Sequence, residues 1–202
     1  IYSKDTSKIV KLNPSTVFSS FGFGSQDNMN GMGNMSMMGS RMDVFNELSD
    51  NTSLIKNTYD IVSGRLPESK EEVVLIVDSY GEISDYALYA IGLKNQQELT
   101  EMTGKIMKGE KLEEPIQTSY TYDELIGTEF KLVLNTDYYK KQGDLWIDKS
   151  SDTNHMKEII DKGLTLKIVG IIKPNEESSN QTSGEVGYTR ELTEYVITKI
   201  RE

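Results

Sequence analysis

The chain has 202 residues, 36% of them hydrophobic and 27% charged, with a net charge of −10 and no cysteine. That length makes one large domain or two small ones, able to bury roughly 70% of the unfolded surface. The charge argues against nucleic acid and anionic lipid as partners, and the missing cysteine excludes disulfides, thiolate metal sites and cysteine nucleophiles.

Residues 8–12, "KIVKL", predict a short strand stopped by Pro14. Residues 18–39 are rich in Gly, Ser, Asn and Met with almost no charge, and predict an irregular loop. Ser40 and Asp43 resemble a capping box, with "RMDVFNEL" (41–48) as the short helix behind it. "YDIVSGRLPESKEEVVLIVD" (59–78) reads as a strand, a turn at Ser63-Gly64, a solvated crossing and a buried strand. Ser84 caps a helix, "DYALYAI", that Gly92 ends. Asn95 and Glu98 cap a second helix with Leu99, Met102 and Ile106 on its apolar face. A charged connector holding Pro115 spans 108–120, and Thr121 then caps the single turn "YDEL", closed by Gly127.

"EFKLVLN" (129–135) alternates, sending Phe130, Leu132 and Leu134 to one side. "DLWID" (144–148) predicts a strand centred on Trp146, and "TNHMKEIIDKG" (153–163) a helix. "LTLKIVGII" (164–172) is a strand stopped at Lys173-Pro174, and "NEESSNQTSGEVG" (175–187) a polar loop. Thr189 caps a last helix whose apolar face is Leu192, Tyr195, Val196 and Ile200, with Lys199 and Arg201 near its C-terminus. Helices and strands interleave without a βαβ rhythm. The fold class expected is therefore α+β, a mixed or antiparallel sheet with helices packed on one side.

Catalytic signals are sparse. The single histidine, His155, sits in the polar first turn of a predicted helix with no evident base or nucleophile beside it. A nucleophile elbow, a zinc helix and a phosphate loop are all missing from the sequence. Adjacent carboxylates such as Glu71-Glu72 and Glu113-Glu114 read as solvated surface, and no segment has calcium-loop spacing. No catalytic residue, metal site or cofactor is expected. "NMNGMGNMSMMGSRM" (28–42) holds six of the nine methionines and has three readings. Its methionines plug gaps in the core, form an adaptable partner-binding surface through Met29, Met32, Met35, Met37 and Met38, or hold Cu(I). The copper reading has least support, because no His or Cys joins the sulfurs.

The segment 59–78 resembles a hallmark of the extracytoplasmic, MacB-like periplasmic core domain of FtsX-like ABC-transporter permeases, of the large-ectodomain Gram-positive type. Gly64, Arg65, Pro67, Glu72, Val73, Val74 and Leu75 match that pattern residue by residue. "GTEFKLVL" (127–134), "LTLKIVGIIKP" (164–174, carrying Gly170), "EISDYALYAIGL" (82–93) and "GYTRELTEYVI" (187–197) are similar to further pieces of the family. The match covers about 42–202, leaving 1–41 as an N-terminal strand plus the Gly/Met-rich loop, and a helical insertion at about 94–126 departs from the minimal domain. The resemblance implies a non-enzymatic membrane-protein ectodomain on the extracellular face of the plasma membrane. It implies coupling to an ABC ATPase subunit through the rest of the permease, with an extracytoplasmic adaptor protein and a homodimer of the full-length protein as further partners. It gives Gly64, Arg65, Pro67, Glu72 and Gly170 structural roles. One rival is a surface protein binding lipid or Cu(I) through the methionine loop. A hydrolase, lacking any nucleophile system, ranks below it. The longest apolar runs here, "VVLIV" (73–77) and "IVGII" (168–172), fall far short of the ~20 residues of a span. The chain opens on Ile1, and the expectation is a piece cut from between two membrane spans.

Overall fold

A computed structural model describes residues 1–7, 9, 11–12, 44–110, 119–175 and 185–201. Its centre is "EVVLI", the strand β4 (Glu72–Ile76), in which Val73, Val74, Leu75 and Ile76 are all buried. A continuous apolar run of this kind suits a strand covered on both faces. Val73 and Leu75, with Val77 beyond the strand, enter the main core, whereas Val74 and Ile76 enter a second cluster on the opposite face.

Around β4, among the described residues, a seven-stranded mixed sheet runs β1–β5–β8–β4–β9–β2, with β3 also on β8. The strands are β1 (Tyr2–Ser3), β2 (Phe45–Glu47), β3 (Tyr59–Gly64), β5 (Glu129–Leu132), β8 (Leu164–Pro174) and β9 (Glu185–Tyr188). The eleven-residue β8 organises the rest. It pairs antiparallel with β5 over 164–167, antiparallel with β3 over 170–174, and parallel with β4 over 167–172. A separate two-stranded ribbon joins β6 (Tyr139–Gln142) to β7 (Leu145–Asp148).

Six helices are present among the described residues: α1 (Thr52–Thr58), α2 (Asp85–Ala90), α3 (Gln96–Met107), α4 (Tyr122–Leu125), α5 (Thr153–Lys162) and α6 (Arg190–Arg201). Their starts follow local chemistry. The Ser84 hydroxyl accepts from the Ala87 amide at 3.3 Å, and Thr121 and Glu124 close a reciprocal capping box. Asp152 caps α5 through the Asn154 and His155 amides, both at 3.1 Å. Gly92 and Gly127, at φ +83° and +95°, end α2 and α4 in the left-handed region.

The α+β class and the mixed sheet match the expectation, and several details correct it. Helices do not keep to one side: α2, α4 and α6 face the main core, but Ile55 of α1 packs on the opposite cluster with Val74, Ile76 and Ile172. "RMDVFNEL" supplies no helix over its described residues. Phe45–Glu47 is a strand parallel to β9, because Phe45 stacks edge-on against Phe130 at 6.0 Å while flanking Val44 and Leu48 are buried on different clusters. The loop expected at 175–187 contains β9, inserted between β4 and β2. Residues 129–135 form a strand only to Leu132. Val133 then turns into a small cluster with Met156 and Ile160 of α5, breaking the alternation. At the N-terminus the paired strand is Tyr2–Ser3, on β5, while Lys11 makes one bridge to Tyr2 and Leu12 is buried in the main core. Strand β8 runs on through Pro174, and Ile200 on α6 is exposed rather than packed. The methionine stretch lies outside the described residues, as do Pro115 and the Leu99 and Ile106 side chains.

Candidate functional site

Motif residues far apart in sequence meet where β3 leaves the sheet. Gly64, at φ +71°, pairs with Gly170 of β8. A Cβ on Gly64 would lie 2.3 Å from the Val169 carbonyl oxygen, and one on Gly170 would lie 2.1 Å from the Arg65 carbonyl oxygen. Two backbones thus touch directly, and only glycine at both positions permits it. The Arg65 amide donates to the Val169 carbonyl at 3.1 Å.

The Arg65 guanidinium then reaches across the turn to β4. Its Nη1 donates to Glu72 Oε2 at 2.7 Å, and its Nη2 pairs with Glu72 Oε1. The same carboxylate accepts from the Glu68 amide at 2.9 Å, and the Glu72 amide donates to the Ser69 carbonyl at 3.1 Å. Half-buried Pro67 sits inside this closed loop, and Leu66 packs on the second cluster. The hydrogen bonds from Arg65 hold the Glu72 carboxyl below the usual glutamate range. The pair is too solvated to dominate stability, but it fixes the loop's shape.

A carboxyl depressed in the folded state stabilises above its unfolded pKa, near 4.3, and loses that contribution as pH falls through the folded value. Glu72→Gln is therefore expected to be less stable than the parent in urea at pH 7, with a smaller difference at a pH below the ordinary glutamate range. An unchanged difference at both pH values would contradict the role given to this carboxylate.

His155 is buried, and its Nε2 lies 2.9 Å from the Asp137 carbonyl. A carbonyl only accepts, so Nε2 carries the proton and clamps the 3-10 turn at 135–138 onto α5. Among the described residues no group of three or more His, Cys, Asp or Glu is placed to hold a metal. An open cleft of about 360 Å³ lies beside β3, lined by Ile61, Val62, Val77, Tyr80, Tyr122 and Lys173, with no carboxylate among the described residues of its walls. Met29, Met32, Met35, Met37 and Met38 lie outside the described residues.

One surface escapes the sequence reading. Leu145 and Trp146 on β7 are 71% and 65% exposed, with Tyr139 of β6 also exposed. The available signal was Gly143-Asp144, a two-residue turn that makes "YKKQ" and "LWID" the arms of a hairpin. No family model matches the chain, and neither the curated proteins nor the solved structures yield a match.

Proposed function

We propose that the chain is the extracytoplasmic domain of an FtsX/MacB-like ABC-transporter permease. It is a non-enzymatic module that passes ATP-driven movement of the membrane helices to an extracytoplasmic partner or substrate. One observation carries the reading: Gly64, Arg65, Glu72 and Gly170, four of the residues on which the resemblance rests, converge in a single lock between β3, β4 and β8.

A relay needs a body that moves as a unit. The lock ties an edge strand to the two central strands by direct backbone contact, hydrogen bonds and one ion pair. Close-packed elements of this kind transmit displacement rather than absorbing it. No described helix is long and apolar enough to cross a membrane, so the reading requires spans elsewhere in the gene product. The gene should encode apolar segments of about 20 residues on both sides of this domain. An ABC ATPase should lie in the same chain or be encoded beside it. Absence of both would overturn the proposal.

A further inference from the structure

The ribbon β6–β7 is a sheet of its own, and among the described residues neither outer edge is paired. A lone hairpin is marginally stable in water. This one's own ladder is continued by the Lys149 amide donating to the Tyr138 carbonyl at 2.7 Å, and Lys140 on Glu158 of α5 at 3.4 Å ties it to the body of the protein. That ion pair turns the Lys140 and Ile147 face toward α5, and Ile147 is accordingly half-buried.

The two edges differ. Strand β6 carries Lys140 and Lys141, the residues that commonly guard an edge against pairing. Strand β7 presents Leu145, Trp146 and Ile147 with no charge until Asp148. The two-residue turn, with Gly143 at φ +63°, makes Gln142 and Leu145 the hydrogen-bonded closing pair. The Trp146 N–H and C=O therefore point outward from the ribbon.

The exposed apolar side chains also lie on both faces, since Leu145 and Trp146 are consecutive along a strand. A flat protein surface would cover one of them and leave the other wet. Lipid would surround both but leave the strand's outward N–H and C=O groups unsatisfied. A second copy brings another net charge of −10 to the contact. An added strand alone satisfies the edge and covers both side chains. Asp144 and Asp148 bracket the apolar run, so the complementary strand is basic at its ends.

We propose that the outer edge of β7 is a strand-addition site for an extended segment of a partner protein, apolar at alternating positions and flanked by lysine or arginine. The inference stands on the ribbon's geometry and does not require the permease reading. Trp146 is the chain's single tryptophan, so its emission reports this edge alone. The probe is an end-capped peptide of roughly seven residues, alternating valine and threonine between terminal lysines. It should shift Trp146 emission to the blue and saturate. Its backbone N-methylated and glutamate-flanked counterparts should bind at least about tenfold more weakly. Leu145→Lys, at an exposed position that leaves the reporter intact, should weaken binding of the lysine-flanked peptide to the same extent. Four results would each overturn the proposal: no saturable response, equal binding of the N-methylated peptide, a blue shift with neutral phosphatidylcholine vesicles instead, or one that tracks self-association in sedimentation.

Discussion

Gly170→Ala is expected to cost at least about 3 kcal/mol of unfolding free energy, or to abolish folding outright. The new methyl would sit 2.1 Å from the Arg65 carbonyl oxygen, and that oxygen belongs to a backbone with no room to retreat. Arg65 is held by its amide to Val169 and by its guanidinium to Glu72, while Gly170 lies between β3 and β4 with partners Gly64 and Val74. Separating β3 from β8 to admit the methyl would break the pairing that ends at Gly64. Gly104 is the control. It lies in α3 with nothing within 4 Å of its would-be Cβ, so Gly104→Ala should stabilise by about 0.5–1 kcal/mol. Urea denaturation of both variants separates a clash at one site from a general response to alanine. A Gly170→Ala chain as stable as the parent would mean that the lock is not tight.

Phe130→Ala should lose about 4 kcal/mol, the cost of removing a fully buried ring from a core that refills poorly. Phe130 lies on β5 opposite Ser3 of β1 and Leu166 of β8, and its ring meets Phe45 edge-on. It therefore joins three parts of the main core that are remote in sequence. The cavity would undercut β2, whose three residues pair, among the described residues, only with β9. The same urea experiment measures the loss. Hydrogen exchange should show β2 amides released before those of β4, and uniform release would contradict this account of β2.

Much of the architecture is legible because it is local. The pairs Ser84 with Gly92 and Thr121 with Gly127 announce α2 and α4 through hydrogen bonds that span a single helical turn. The apolar runs of β4 and β8 announce central strands. What escapes reading are the short elements whose cause lies elsewhere in the chain. Strand β2 exists because Val186, Gly187 and Tyr188 lie beside it, and three residues carry too little pattern to say so. Strand β9 hides in a polar stretch, and a side chain at Gly187 would press on the side chains of Leu48 and Val74. The candidate site divides in the same way. Arg65 pairing with Glu72 follows from an eight-residue turn with opposite charges at its ends, whereas Gly64 facing Gly170 depends on strand register. The sequence places Trp146 at the middle of a strand, but its exposure depends on the ribbon standing clear of the main sheet.

The proposed function places this domain outside the membrane, and the lack of cysteine in the chain makes that directly measurable. Ser151, exposed beyond β7, is a suitable position for a single reporter thiol. The gene product carrying Ser151→Cys should be labelled in intact cells by a membrane-impermeant maleimide, above the level of the unsubstituted parent, and the labelled band should sediment with membranes. Labelling that appears only after lysis, on a band that remains in the soluble fraction, would contradict the assignment to an extracytoplasmic permease domain.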